Sequence, residues 1–265
     1  MIKELFISTM KRNFVLLVIF YGVLLMYLWV LASMFDPDSI EEIMAMLDLF
    51  PEDMIKGFGF SAVVTDITGY FASWLYGMLM LGFPMVYCII LGNRLCAKMV
   101  DNGSFVYLLS TPNSRVRIIV TQGVYAILSV FVLFGAVFLS GVAICAVSFP
   151  GELDVYQFFR VNAITANANV LAIMISFFFS CVFNDAKMST AFGAGVPIAF
   201  LLMNMLGGAS EKAEILKKLS IYGIYDPVEV VKGAPILPQN IFYIAASLTL
   251  LIAGTAIFNK KRLPI

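Results

Sequence analysis

The chain has no histidine and few charges. Of its 265 residues, 13% are charged and 61% are hydrophobic, and the mean hydropathy is +0.95. Ordinary soluble domains carry about 25% charged residues. A large soluble domain has no room here, because the longest stretches between apolar runs, 36–69 and 207–240, are short. Without histidine the chain lacks the commonest general base and a common metal ligand. Composition therefore predicts a membrane protein with no catalytic residue and no metal site of its own.

The sequence also lacks the familiar chemical motifs. The spacing of Cys88, Cys96, Cys145 and Cys181 makes no C-x-x-C metal site, and we expect these cysteines to be small apolar side chains inside helices. No G-x-x-x-x-G-K-[ST] phosphate loop occurs, and neither G-x-S-x-G nor H-E-x-x-H is present. We therefore expect no enzyme, no bound cofactor and no nucleic-acid partner.

Long apolar runs dominate what is present. A helix rises about 1.5 Å per residue, so a hydrocarbon core of about 30 Å needs about 20 apolar residues. Six runs reach or nearly reach this length, and none has a Lys, Arg, Asp or Glu in its middle. The sequence thus predicts an all-α membrane protein, with one transmembrane domain over residues 1–265. The predicted spans are Phe14–Phe35, Tyr70–Gly92, Ile118–Phe149, Val161–Phe183, Met188–Leu206 and Ile241–Phe258.

Lysine and arginine are unequally divided between the two sides of this topology. Eleven of the 17 fall on the side of the termini and six on the other side, whose first loop is strongly acidic. Cytoplasmic loops carry the excess of Lys and Arg, so both termini are predicted to be cytoplasmic. The eleven are Lys3, Lys11, Arg12, Arg94, Lys98, Arg115, Arg117, Lys187, Lys260, Lys261 and Arg262.

The segments outside the spans have helix signals of their own. Apolar residues of the N-terminal segment share one face, which favours an amphipathic interfacial helix over residues 1–13; a plain extension of the first span is the alternative. The first external loop predicts a helix between Asp38 and Pro51. Residues 207–240 predict two short external helices, Ser210–Ser220 and one capped by Asp226, that form a partly re-entrant cap before the last span.

Polar and small residues inside the fourth and fifth spans mark helix contacts or a pathway. The fourth span carries Asn162, Asn167 and Asn169, which predict either a polar pathway or hydrogen bonds between helices. In the fifth span Gly193 permits close helix approach, and Pro197 removes a backbone hydrogen bond.

The cytoplasmic loop, residues 93–117, is too structured for a simple connector. It starts as a helix, breaks at Asp101-Asn102-Gly103 and turns at Thr111-Pro112-Asn113. Short helical elements lying along the membrane favour a docking surface, with a plain loop as the alternative.

This loop resembles a known family. The stretch VDNGSFVYLLSTPNSRVRIIVTQ, from Val100 to Gln122, is similar to E-x-x-x-G-T/S-x-x-x-L-L-S-T-P-x-S-R-x-x-I in type-2 ABC exporter permeases, which are membrane-spanning subunits of bacterial ABC exporters. Asp101 stands where the family has Glu, and Lys98 stands where acidic residues are common. The matching residues are Gly103, Leu108, Leu109, Ser110, Thr111, Pro112, Ser114, Arg115 and Ile118.

The resemblance implies partners and a mechanism. The loop would be a coupling helix in a groove of a separate ATPase subunit, which would hold ATP and Mg²⁺, and a second permease chain would be either identical or a paralogue. The implied ATPase-coupling residues are Arg94, Lys98, Asp101, Asn102, Gly103 and Ser104. The implied path runs between two permeases, along the second and fifth spans, with candidate residues Phe71, Trp74, Met78, Met85 and Asn204.

Aromatic and methionine side chains suit bulky apolar or amphipathic cargo, such as peptide toxins, antimicrobial peptides, drugs or lipid-like molecules. For each of these side chains, contact with lipid is the alternative. Two other functions remain open. One is a non-transport scaffold or immunity protein, and the other is a gradient-driven secondary transporter, which the lack of ionisable residues inside the spans disfavours.

Overall fold

The computed structural model describes residues 2–35, 66–209 and 213–262, and within these ranges every regular element is a helix. Six helical stretches are long and apolar enough to cross a membrane, which confirms the six predicted spans; each begins before its predicted apolar run. The chain is a multi-pass membrane protein. Its helices are α1 (Lys3–Met34), α2 (Ile67–Tyr70), a π-helix (Phe71–Leu79), α3 (Met80–Leu95), α4 (Ala97–Asp101), α5 (Phe105–Leu109), α6 (Arg115–Ser148), α7 (Val155–Val182), α8 (Ala186–Ala209), α9 (Glu214–Leu219), α10 (Pro227–Val231) and α11 (Leu237–Lys260).

The N-terminal segment is not a separate element. Helix α1 runs without a break through the residues expected to form an interfacial helix. Hydrogen bonds fasten its start to α6, where the backbone N–H of Ile2 donates to Thr121 Oγ1 at 2.9 Å and Thr9 Oγ1 donates to Gln122 Oε1 at 3.2 Å. The structure therefore corresponds to the alternative, an extension of the first span.

The second span is built from three pieces. Helix α2 starts at its cap Asp66, whose carboxylate accepts from the backbone N–H of Gly69, and the π-helix and α3 follow without interruption. Pro84 lies inside α3, and Cys96 ends it with φ −138° and ψ −70°. The nine-residue π-helix was not predicted, and such segments occur frequently at functional sites.

The two ends of the bundle are distinct. At one end, which we call the terminal end, the start of α1 meets α6, and Arg115 donates to the carbonyl of Lys261 at 2.9 Å. Helices α4 and α5 also lie there, because the backbone N–H of Ala97 donates to Ser180 Oγ near the end of α7 at 2.6 Å. The opposite end carries α9 and α10, and we call it the cap end.

Two short helices, α9 and α10, lie at the cap end, within the stretch for which the sequence predicts external helices. Asp226 caps α10 by accepting from the N–H groups of Val228 and Glu229 at 3.1 and 3.2 Å, and Pro227 occupies the first turn. Helix α9 carries the exposed pair Glu214–Lys218 at 2.9 Å. The helix predicted between Asp38 and Pro51 lies outside the described residues.

Helix α7 occupies the centre of the bundle. It packs against α3, α6, α8 and α11. Within an apolar stretch of 18 residues, 83% of the residues of α7 are buried, against 61% in the second span and between 17% and 33% in the other four. Those four helices therefore present much of their surface to lipid, while α7 is almost wholly surrounded by protein.

Candidate functional site

The polar side chains of α7 make hydrogen bonds to the surrounding helices. The Tyr76 hydroxyl donates to Asn162 Oδ1 at 2.9 Å, and Asn162 Nδ2 donates to the carbonyl of Phe134 at 3.3 Å. Asn167 Nδ2 donates to Asn240 Oδ1 at 2.7 Å. Of the two interpretations of these asparagines, the structure supports hydrogen bonding between helices.

A further bond from α7, made by Asn169, replaces a backbone hydrogen bond that is missing in α3. Within an α-helix the N–H of residue i donates to the carbonyl of residue i−4, and proline has no N–H. Pro84 therefore leaves the Met80 carbonyl without its helical donor. Asn169 Nδ2 fills this place, donating to the Met80 oxygen at 3.0 Å and to the Thr165 oxygen at 3.0 Å. Asn169 is fully buried, so the bond forms where no water competes for it.

A second bond does the same for α8. Pro197 deprives the carbonyl of Gly193 of its helical donor, and Ser176 Oγ on α7 donates to this oxygen at 2.6 Å. The approach is close enough that a Cβ on Gly193 would lie 3.2 Å from the Ser176 Cα. On the α3 side, a Cβ on Gly92 would lie 2.7 Å from the Ser176 Cβ. Ser176 thus sits between two glycines of different helices.

Two tyrosines of the cap end reach down into the bundle. The Tyr225 hydroxyl lies 2.6 Å from Thr165 Oγ1 and donates to the Tyr76 carbonyl at 3.2 Å. The Tyr222 hydroxyl contacts the Met85 sulfur at 3.7 Å. Both tyrosines are almost wholly buried, and this burial raises the pKa of each phenol far above that of an exposed tyrosine. The cap is therefore joined to the second span and to α7.

A buried arginine also holds the cap. Arg160 on α7 is 9% exposed and donates to Gln157 Oε1 at 2.6 Å and to the carbonyl of Ala234, just beyond α10. Its guanidinium lies 5.8 Å from the centre of the Tyr156 ring. A charge taken out of water requires hydrogen-bond partners, and here neutral oxygens supply them.

The segment of α4 and α5 (residues 97–109) is held on the terminal end by buried contacts; we call it the coupling segment, after the coupling residues that the sequence predicts here. Besides the bond from Ala97 to Ser180, Phe105 is fully buried and its ring centre lies 5.1 Å from that of Phe258 on α11. Gly103, between the two helices, has φ +72°, a left-handed conformation that glycine adopts at no steric cost. Tyr107, on the outer side of α5, is 78% exposed.

The predicted coupling residues lie at or next to this segment. Arg94 lies in the last turn of α3 and is half-buried, while Lys98, Asp101 and Asn102 are exposed. Gly103 and Ser104 form the turn between α4 and α5, where Ser104 Oγ donates to Asn102 Oδ1 at 2.6 Å.

The predicted path residues are more dispersed. Phe71 is fully buried against Phe158, with ring centres 5.9 Å apart, and Met85 is buried beneath Tyr222. Partial exposure is found for the other three, which are Trp74, Met78 and Asn204.

Ser176 and the role of Pro84 were not anticipated. A usable signal existed in the sequence, because each proline inside a span predicts an unpaired carbonyl four residues earlier. A carbonyl in such a place calls for a hydroxyl or amide on a neighbouring helix.

A cavity of about 470 Å³ opens at the cap end between α9 and the start of α11. It is lined by Lys218, Leu219, Ser220, Ile221, Ile224, Pro238, Gln239 and Phe242.

Comparison of the chain with protein-family models, with curated proteins and with solved structures finds no match.

Proposed function

We propose that the chain is the membrane-spanning permease subunit of an ATP-driven ABC exporter in a bacterial cytoplasmic membrane. It contains no nucleotide site and works with a separate ATPase subunit that binds ATP and Mg²⁺. A second permease chain, identical or a paralogue, completes the transporter. Both termini, and with them the coupling segment, face the cytoplasm.

The observation that carries this proposal is the anchored coupling segment. A simple connector between two spans needs no buried contacts, yet this one is fixed to α7 through Ala97 and to α11 through Phe105. At the same time it presents Asp101, Asn102 and Tyr107 to the outside. A surface that is firmly attached beneath and open above suits a partner protein that exerts force.

The buried contacts of the coupling segment determine which helices would move when the partner displaces it. Displacement of α4 acts on the end of α7 through the Ser180 hydroxyl, and displacement of α5 acts on α11 through the Phe258 ring. Because α7 packs against four other long helices, movement of its end reaches the whole bundle.

The cargo in this proposal is amphipathic or hydrophobic. The candidate path residues of the second span are aromatic or contain sulfur, and such side chains accommodate bulky apolar groups. Met85 lies beneath Tyr222 of the cap, so cargo would reach it only after the cap and α3 separate. The proposed cycle therefore includes displacement of the cap.

The test is capture of the partner. The full chain, purified gently from its native membrane, is expected to bring down a subunit with a G-x-x-x-x-G-K-[ST] loop, and reconstituted vesicles should transport only when ATP is present. Tyr107→Ala should remove the partner, because it deletes an exposed aromatic side chain from the docking surface. Tyr156→Ala is the matched control, since Tyr156 is 68% exposed at the opposite end of the bundle.

Two results would reject the proposal. One is equal recovery of the partner with Tyr107→Ala and Tyr156→Ala; the other is uptake or export that proceeds without ATP. Orientation is checked separately, by labelling Tyr107→Cys and Tyr156→Cys in intact cells with an impermeant thiol reagent. All four native cysteines are buried, so they should not react, and only Tyr156→Cys is expected to be labelled from outside.

A further inference from the structure

The prolines inside α3 and α8 each remove a backbone hydrogen-bond donor, and in both cases a side chain of α7 replaces it. In both helices the carbonyl four residues before the proline receives a hydrogen bond from a side chain of α7. The two donors, Asn169 and Ser176, are seven residues apart. Seven residues make nearly two helical turns, so both donors lie on one side of α7, about 10 Å apart along its axis.

We propose that Asn169 and Ser176 are positioning residues that latch α3 and α8 to the central helix at their prolines. Each replaces the peptide N–H that the proline cannot supply. A bond of this kind lies outside the ladder of backbone hydrogen bonds, so it can open without unwinding either helix. Here it holds two helices together at a point where proline has already weakened one of them.

The surroundings show why the latches act together. Ser176 lies between Gly92 of α3 and Gly193 of α8, so all three helices meet at this level. Next to it, Asn93 Nδ2 of α3 donates to Thr190 Oγ1 of α8 at 2.5 Å. Helix α3 is thus held on both sides of Pro84, at Met80 toward the cap end and at Gly92 toward the terminal end.

The proposed role of Ser176 differs from ordinary packing in one measurable respect, which is whether the effect of removing its hydroxyl depends on Pro197. If Ser176 serves the carbonyl that Pro197 leaves unpaired, then returning the peptide donor by Pro197→Ala makes the Ser176 hydroxyl redundant. If Ser176 only fills space, Pro197→Ala leaves the effect of its removal unchanged. The same logic joins Asn169 to Pro84, and each proline is the control for the other.

The experiment is a crossed set of double-mutant cycles on the full chain in detergent micelles. Ser176→Ala should lower Tm by about 2–4 °C, the shift expected for one net hydrogen bond in a protein of this size. This loss should fall to less than half in Pro197→Ala and persist in Pro84→Ala. For Asn169→Leu the dependence should be reversed, with rescue by Pro84→Ala only.

A second readout follows the position of α8 directly. Spin labels at Leu139→Cys on α6 and Leu206→Cys on α8 occupy exposed sites, whereas the native thiols are buried. Ser176→Ala should broaden the distance distribution between the labels, and Ser176→Ala/Pro197→Ala should restore it. General destabilisation would not give this selective recovery.

The proposal is overturned if both prolines affect Ser176→Ala equally, or if neither does. It is also overturned if the label distances stay the same in all variants. Should Ser176→Ala fail to fold, recovery of the folded chain by adding Pro197→Ala, but not Pro84→Ala, becomes the expected result, and the absence of recovery counts against the latch. None of these measurements requires transport, so the proposal stands independently of the proposed function.

Discussion

Alanine substitution at two helical glycines should change stability in opposite directions. A Cβ built on Gly92 lies 2.7 Å from the Ser176 Cβ and 3.0 Å from the backbone nitrogen of Phe177. Carbon atoms normally approach to about 3.5–4.0 Å, and a helix backbone cannot yield by several tenths of an ångström without moving its own neighbours. At Gly195, inside α8, a Cβ meets nothing within 4 Å.

The magnitudes follow from two opposing effects. Replacing glycine by alanine in a helix gains about 1 kcal/mol at both sites, because alanine loses less backbone entropy. Overpacking costs about 1–3 kcal/mol, and only Gly92 incurs it. Gly195→Ala should therefore be more stable than the native chain by about 1 kcal/mol, whereas Gly92→Ala should be up to about 2 kcal/mol less stable.

The free energies of unfolding can be measured by titrating a denaturing detergent into mixed micelles and following helical circular dichroism. The informative quantity is the difference between the two variants, about 1–3 kcal/mol, because the propensity gain cancels. Equal stability of Gly92→Ala and Gly195→Ala would refute the close meeting of α3 with α7.

Three further predictions concern the two ends of the bundle. Phe105→Ala should cost about 3–5 kcal/mol, because this fully buried side chain packs against Phe258, and the loss should appear as faster amide exchange over residues 97–109; unchanged exchange would show that the segment needs no anchor. Tyr225→Phe should cost about 1 kcal/mol for each of its two hydrogen bonds, one of them to Thr165, and a thermal shift below one degree would contradict them. Burial raises the pKa of Tyr222 and Tyr225 above the usual value of about 10, so the cap should be fully stable below that pH and lose stability as the pH rises above it. Other tyrosines of the chain are exposed, so the measurement is the difference in phenolate absorbance between the native chain and Tyr222→Phe/Tyr225→Phe, and a difference that appears at the ordinary pKa would contradict the burial.

Much of the architecture follows from apolar length alone, since an unbroken apolar run of some 20 residues has one stable form in lipid. The short cap helix α10 was also predictable, because Asp226 and Pro227 form a local start signal that needs no tertiary contact. The break between α4 and α5 was recognisable from the turn signal at Gly103.

The features that could not be predicted from the sequence depend mostly on which helices become neighbours in the bundle. Nothing local distinguishes Ser176 from other serines; its importance arises from Gly193 on another helix. The π-helix at Phe71–Leu79 likewise has no periodic signature in an apolar run. The asparagines of α7 were identified as polar residues in a span, but their partners could not be named from one sequence.

The enclosure of α7 has a consequence for biogenesis. When this helix leaves the ribosome, some of its polar groups have partners already synthesised, such as Met80 for Asn169 and Phe134 for Asn162. Others must wait for residues still to be made, since Asn167 binds Asn240. We therefore expect the hydrogen bonds of this helix to be completed only after the last span arrives, and a chain truncated before Asn240 to be more readily degraded by proteases.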